Sequence, residues 1–327
     1  MSPILRRILI LGCLGCCLLA VGCASKKGDE DSVQRPILNP RRSARLLERI
    51  ETGQAAVDER QYRDAKKIFK QIEQEYADLT EFDLGVFTSA ELYLAKDKRS
   101  KAAKRYRDLV DDFPQSELVD PSNLRLFEIG EYYLGGPVIA NFIFFKIRGQ
   151  SRGIKILEEL TEDVGLSEPN GLGVRSTVMI AKNLESRNKV QDAYLKWLEL
   201  ATAWDDGPLG KMALLGMSRT KLAAYDLPPE KRRVYYNLAN LTNARQYYER
   251  FAIEFPEDAN DLGVVEKIHD IDEMIATHQL SIAQFYQRTG KTRAANLYYD
   301  MIVENWPESA AAQTAREMLD VKRTVVQ

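Results

Sequence analysis

Cysteine is scarce in this 327-residue sequence, and its distribution excludes most thiol chemistry. The four cysteines, Cys13, Cys16, Cys17 and Cys23, all lie within the first 23 residues. A C-x-x-C-C spacing is compatible with a metal or redox site, but the surrounding apolar run offers no histidine or carboxylate as a further ligand. We therefore expect the first three cysteines to be small apolar filler, and we expect no metal site in the chain.

Histidine is scarcer still, which leaves little material for imidazole catalysis. His269 and His278 are the only two, and nine residues of one helix turn about 900°, so they face opposite sides. Gly290-Lys291-Thr292 is similar to the end of a phosphate loop, but Phe285 stands where that motif requires glycine. The sequence therefore predicts a protein that is not an enzyme and that needs no cofactor.

Neither an excess of basic residues nor many turn-forming residues are present. The chain has 46 Lys and Arg against 48 Asp and Glu, a net charge of -2, so nothing favours binding to nucleic acid. Only 12 Pro and 19 Gly occur, which favours long helices over a turn-rich β-sandwich. We expect an all-α protein without a nucleic-acid partner.

A long apolar run occurs only at the N terminus. Arg6 and Arg7 precede the uncharged run 8–21, which is followed by small residues, the order found in export signals. With roughly 14 residues the run is too short to span a bilayer. Residues 19–23, Leu-Ala-Val-Gly-Cys, resemble a bacterial lipobox. This resemblance implies a lipoprotein signal peptide over residues 1–22 and acyl chains, including palmitate, on Cys23.

The residues after the lipobox predict how the chain is held. Residues 23–41 are polar, contain Pro36 and Pro40 and show no apolar period, so we expect a flexible tether of roughly 20 to 25 Å. Several acyl chains hold a protein on a membrane without a transmembrane helix. By resemblance to the sorting of proteobacterial lipoproteins, Ala24 and Ser25 imply an outer membrane location facing the periplasm.

The rest of the chain shows a repeat of about 34 residues, the length of a tetratricopeptide unit. Two blocks share spacings of three, nine, four and eight residues: Ala90, Tyr93, Ala102, Tyr106 and Pro114, then Ala283, Tyr286, Ala295, Tyr299 and Pro307. Weaker copies contain Gly53, Tyr62, Ala65 and Phe69; Ala181, Leu184, Ala193 and Trp197; and Ala244, Tyr248, Phe251 and Pro256. Residues 42–324 therefore predict a tetratricopeptide-repeat solenoid of about six antiparallel helix pairs, with a concave groove for partners.

Two of the six predicted units are interrupted. The helix predicted over 120–134 is separated from its partner helix, 151–161, by the apolar insertion 135–149. Residues 226–233 separate a second predicted pair of helices, 211–225 and 240–255. We expect a long helix over 264–288 before the last unit and a capping helix over 310–321.

The chain resembles the BamD (YfiO) family, the lipoprotein subunit of the outer-membrane β-barrel assembly machinery. The likeness rests on an acylated cysteine followed by a short tether, on residues 62–65, on residues 244–256 and on residues 283–286. It implies a scaffold whose partners are the β-barrel assembly subunit or segments of unfolded outer membrane proteins. Residues 120–208 depart from the family pattern by adding repeats.

Two segments are candidate partner contacts. In the insertion, Phe142, Phe144 and Phe145 either form a lid on the third unit or dock a partner, and we favour the lid because exposed aromatics promote aggregation. Lys231, Arg232 and Arg233 could dock an acidic partner, although a solvated helix start is the simpler reading.

Other functions remain possible on the sequence. Repeat lipoproteins of this kind also scaffold peptidoglycan enzymes or the assembly of pili and secretins. A cell-wall hydrolase requires a catalytic domain outside the repeats, and only about 40 residues lie there, too few for one. We therefore expect a binding protein rather than a hydrolase.

Overall fold

The computed structural model describes residues 35–136, 138–142, 145–229 and 237–325. The chain divides into residues 1–37 and a compact unit of residues 38–327, and the fold below belongs to the compact unit. The expected signal peptide, Cys23 and most of the tether lie outside the described residues, as do Phe144, Lys231, Arg232 and Arg233.

The described helices form six antiparallel pairs and a capping helix, which confirms the predicted fold class. The pairs are α1 (Pro40–Asp58) with α2 (Tyr62–Glu75), α3 (Asp83–Ala95) with α4 (Arg99–Asp112), α5 (Val119–Leu134) with α6 (Gln150–Val164), α7 (Leu172–Ser186) with α8 (Val190–Ala203), α9 (Gly207–Asp226) with α10 (Ala239–Glu254), and α12 (Val264–Arg288) with α13 (Thr292–Asn305). The short helix α11 (Pro256–Asp261) joins the last two pairs, and α14 (Ala310–Val325) covers the end of the array. A single 3-10 turn, Ala77–Leu79, joins the first two pairs.

Four of the pairs use the same three-residue turn, which explains their regular spacing. Its middle residue is left-handed, with φ of 59° at Arg60, 56° at Asp97, 57° at Asn188 and 76° at Gly290. In each turn the next residue donates its backbone N–H to a carbonyl five residues back, as Lys98 does to Tyr93 at 2.9 Å. These bonds satisfy the last carbonyls of the first helix and reverse the chain into the second.

The small and aromatic positions of the repeat form the core. Ala102 and Tyr106 are fully buried, and the ring of Tyr106 packs on the edge of Phe87 with centroids 5.8 Å apart. In the weakest copy Gly53 takes the place of alanine, because a Cβ there would stand 2.7 Å from the ring of Phe69. The small residues thus set how closely two helices approach.

Enlarging these positions tests the repeat register. We expect Ala102→Leu and Ala295→Leu each to lower the free energy of unfolding by about 1 to 3 kcal/mol, because both alanines are fully buried and extra methylenes overpack the helix contact. Urea denaturation measures the change. Ala44→Leu, at an exposed position of α1, is the matched control and is expected to change it by less than about 0.5 kcal/mol. Equal losses in all three variants would contradict the register.

The insertion between α5 and α6 contains two strands that the sequence did not predict. Strand β1 (Val138–Phe142) pairs with β2 (Phe145–Arg148) in an antiparallel ladder, with Ile139 opposite Ile147. Among the described residues neither strand makes an extensive backbone contact with a helix. The ladder pairs the backbone groups of the two strands with each other. Packing of the insertion as a lid on the third pair stays a prediction.

Candidate partner-binding site

A groove of about 280 Å³ opens between the first three helix pairs. Its apolar floor comes from Val57 at the end of α1, Leu94 at the end of α3 and Ile129 on α5. Charged and aromatic side chains surround this floor; they are Asp58, Arg60, Asp97, Arg99, Arg125, Glu128 and Tyr132. An apolar floor with a polar rim is the arrangement found in protein–protein interfaces.

A buried ion-pair network holds the three walls of the groove together. Arg125 of α5 contacts Glu91 of α3 through Nε at 3.1 Å and Asp58 of α1 through Nη1 at 2.8 Å. Its Nη1 also lies 2.8 Å from Glu128 one turn along α5. Gln54 of α1 donates to Glu91 at 2.7 Å. Arg125 thus links the first helices of the first three pairs, α1, α3 and α5.

Burial governs the protonation of this network. Burial raises the pKa of Glu91, and the nearby Arg125 charge and the hydrogen bond from Gln54 oppose the shift. Burial alone would lower the pKa of Arg125, but the Glu91 charge and the bonds to Asp58 and Glu128 raise it overall, so the guanidinium stays charged. The Oε2 atom of Glu91 finds no hydrogen-bond partner among the described residues. The network thus links helices α1, α3 and α5 at the groove.

Tyrosine and arginine stack at the exposed rim of the groove. The Arg99 guanidinium lies 3.9 Å from the ring centroid of Tyr132, and Arg99 also pairs with Asp97 at 2.8 Å. Tyr132 is 42% exposed near the end of α5, whereas the adjacent Tyr133 is buried. An exposed aromatic held in place by a cation is a preorganised contact of the kind that dominates binding energy at protein interfaces.

The residues considered for catalysis are not brought together. His269 is exposed and His278 is buried, so they occupy opposite faces of α12 as expected. Burial lowers the pKa of His278, which keeps its ring neutral. Across the described residues no group of three His, Cys, Asp or Glu side chains is placed to hold a metal ion. In that part of the chain no helix is both long and apolar enough to cross a membrane.

Of the candidate contact residues, Phe142 and Phe145 belong to the described strands. Phe142 and Phe145 lie opposite each other across the β1–β2 ladder, and their side chains are not described. The groove itself was not predicted. Glu91 could have signalled it, because a carboxylate within the apolar run 84–95 of α3 requires a buried partner.

The geometry and fold define a tetratricopeptide-repeat protein, and comparison with known families agrees. Residues 87–116, which span most of α3 and α4, match the family model described as a tetratricopeptide repeat. Residues 179–324, from within α7 to α14, match the family model described as outer membrane lipoprotein (YfiO). The chain is thus a tetratricopeptide-repeat scaffold whose C-terminal part resembles outer membrane lipoproteins, as the sequence predicted. The family match begins well after residues 62–65, which lie outside it.

Solved structures at low sequence identity are also similar to the chain. The crystal structure of PilW, a widely conserved type IV pilus biogenesis factor, is 16% identical, with 82% of this chain and 97% of that chain covered and a TM-score of 0.30. The C-terminal part of a TPR repeat-containing protein from Cytophaga hutchinsonii is 14% identical, with 81% and 98% covered and a TM-score of 0.31. No curated protein matches the chain significantly.

Proposed function

We propose that the protein is an acylated, non-enzymatic scaffold of the outer membrane that takes part in β-barrel protein assembly. The observation that carries the proposal is the match of residues 179–324 to the outer membrane lipoprotein family. Tetratricopeptide arrays bind segments of other proteins on their helical surfaces, so the coarse function is protein binding.

The groove of the first three pairs is the proposed binding site for a partner segment. Its floor offers apolar contacts, and Tyr132, Arg99 and Arg60 offer polar and aromatic contacts at the rim. The buried Arg125 network fixes the walls before binding, which lowers the entropy lost on association. The partner is the β-barrel assembly subunit or an unfolded outer membrane protein segment.

The proposed domains follow the same order as in the sequence. Residues 1–22 are a signal peptide, residues 23–41 carry the acyl chains on Cys23 and form the tether, and residues 42–324 form the solenoid. In this proposal Phe142, Phe144 and Phe145 of the insertion are further contacts, as are Lys231, Arg232 and Arg233. The protein faces the periplasm.

Affinity capture from solubilised envelopes tests this function. We expect the tagged chain to retain the β-barrel assembly subunit, and we expect Tyr132→Ala combined with Arg60→Glu to reduce the retained amount at least tenfold, because both lie at the groove rim. Phe285→Ala is the matched control, since it removes a 53% exposed aromatic outside the groove. Capture of pilus or secretin components instead of the β-barrel subunit would assign the scaffold to pilus assembly.

A further inference from the structure

The two ends of the helix pairs carry opposite charge. We define the turn edge as each within-pair connection with four helical residues on either side: 55–65, 92–102, 131–153, 183–193, 223–242 and 285–295. We define the joint edge as each connection that follows a pair, again with four helical residues on either side: 72–86, 109–122, 161–175, 200–210, 251–267 and 302–313. Counted over the residues that the structure describes, the turn edge carries 14 basic and 8 acidic residues, whereas the joint edge carries 2 basic and 21 acidic residues. The overall charge of -2 hides this separation.

Contacts between neighbouring pairs show that residues of one edge lie side by side. On the turn edge, Lys96 of the second pair lies 4.3 Å from the ring centroid of Tyr62 in the first. Ser100 of the second pair forms a 2.8 Å hydrogen bond with Tyr133 of the third. On the joint edge, the indole of Trp204 donates to the carbonyl of Leu166 at 2.8 Å. Antiparallel pairs therefore gather like charge along each edge.

Folding does not account for the basic residues of the turn edge. The first helix of each pair ends at this edge and the second begins there, so the two helix dipoles cancel and do not favour cations. Lys96, Lys98 and Lys101 are exposed, and none of them forms an ion pair with another described residue. Repulsion among such charges costs stability rather than adding to it. Binding of an anionic ligand would offset this repulsion and stabilise the protein.

Aromatic and apolar groups occur on the same edge. Lys101 lies 5.7 Å from the ring centroid of Tyr93, and Arg152 lies 5.7 Å from that of Tyr133. The hairpin leaves the solenoid at this edge, and eight of the eleven residues from 138 to 148 are apolar. A two-stranded hairpin is marginally stable in water unless another surface covers it.

We propose that the turn edge faces the surface of an anionic phospholipid bilayer, with the hairpin in the headgroup region and the groove of the first three pairs, which opens on the same edge, beside the leaflet. Lysine, arginine, tyrosine and a short apolar segment together match the chemistry of the lipid–water interface. An acidic protein would pair with the cations but would not require the apolar hairpin. The proposal rests on the acylation of Cys23 proposed above, which places the solenoid beside a bilayer.

The tether is long enough for this orientation. The tether joins the N terminus of α1, the end of that helix that lies away from the turn edge. The 19 residues of α1 span about 28 Å. The roughly 17 residues between Cys23 and α1 extend to about 56 Å. An acylated chain can therefore place its turn edge on the leaflet that holds Cys23.

Vesicle co-sedimentation tests the proposal with the chain from residue 23 carrying Cys23→Ser, so that no acyl chain contributes. The vesicles contain either phosphatidylglycerol or only phosphatidylcholine. We expect binding to the anionic vesicles that weakens with salt, and little binding to the neutral ones. Each basic residue near the surface contributes about fivefold in affinity, so Lys96→Gln, Lys98→Gln and Lys101→Gln together are expected to weaken binding about 100-fold.

A second triple variant tests whether the position of the removed cations matters or only their number. Arg41→Gln, Arg45→Gln and Lys267→Gln remove three exposed cations outside the turn edge and are expected to change binding less than twofold. Phe142→Ser with Phe145→Ser is expected to weaken binding while the salt dependence is kept. Equal losses in both triple variants, or equal binding to both vesicles, would overturn the proposal. Envelope capture of the same variants reports the scaffold function separately: loss of the β-barrel subunit with unchanged vesicle binding would assign the edge to an acidic protein instead.

Discussion

Arg125→Ala is expected to lower the free energy of unfolding by about 3 to 5 kcal/mol, because it leaves the buried carboxylate of Glu91 without its cation. Glu91 is fully buried and would keep Gln54, a neutral group, as a hydrogen-bond donor. The walls of the groove contributed by α1, α3 and α5 would also lose their common link. Urea denaturation measures the loss.

Two further variants define the cause of that loss. Arg105→Ala removes an arginine that is 48% exposed and pairs only with Asp108 at 3.4 Å among the described residues, so we expect a change below about 0.5 kcal/mol. Arg125→Met combined with Glu91→Leu removes both buried charges and is expected to recover most of the lost stability. Failure of the double variant to recover it would mean that shape, rather than an unpaired charge, dominates at this site.

Cys23→Ala is expected to move the protein from the outer membrane to the soluble fraction or to leave it as an uncleaved precursor. Several acyl chains anchor a protein for practical purposes irreversibly, whereas the chain without them has no comparable attachment. Membrane fractionation with lipid labelling measures the change. The solenoid is expected to keep its stability, since the compact unit begins at residue 38.

Replacing a cysteine within the expected leader provides the control. Cys16→Ala removes a thiol from the apolar run but leaves the residues of the lipobox unchanged. We expect normal outer membrane recovery and lipid labelling for this variant. Normal labelling of the Cys23→Ala protein would instead contradict the assignment of the anchor.

Much of the fold could be predicted because the repeat depends on local periodicity. Alanine and aromatic residues at fixed spacing indicate paired helices, and α12 has the bounds that the sequence predicted, Val264–Arg288. The helix ends were less predictable, since capping depends on the turn. Arg60 and Asp97 adopt left-handed backbone conformations, which their residue types alone do not predict.

The groove and the hairpin could not be predicted, for different physical reasons. Arg125 meets Glu91 and Asp58 across 34 and 67 residues of sequence, and such distances depend on how the pairs stack. The apolar residues of 138–148 lack a clear period of two, so they could not be distinguished from a buried lid. The charge of each edge, in contrast, follows from the sequence once the turns and joints are known.

Depletion of the protein followed by measurement of folded β-barrel proteins in the outer membrane tests the central claim most directly. We expect their amount to fall, and we expect recovery with the wild-type chain and with Phe285→Ala. Tyr132→Ala combined with Arg60→Glu is expected to leave the defect in place. Unchanged levels of folded β-barrel proteins after depletion would contradict the assignment of this scaffold to β-barrel assembly.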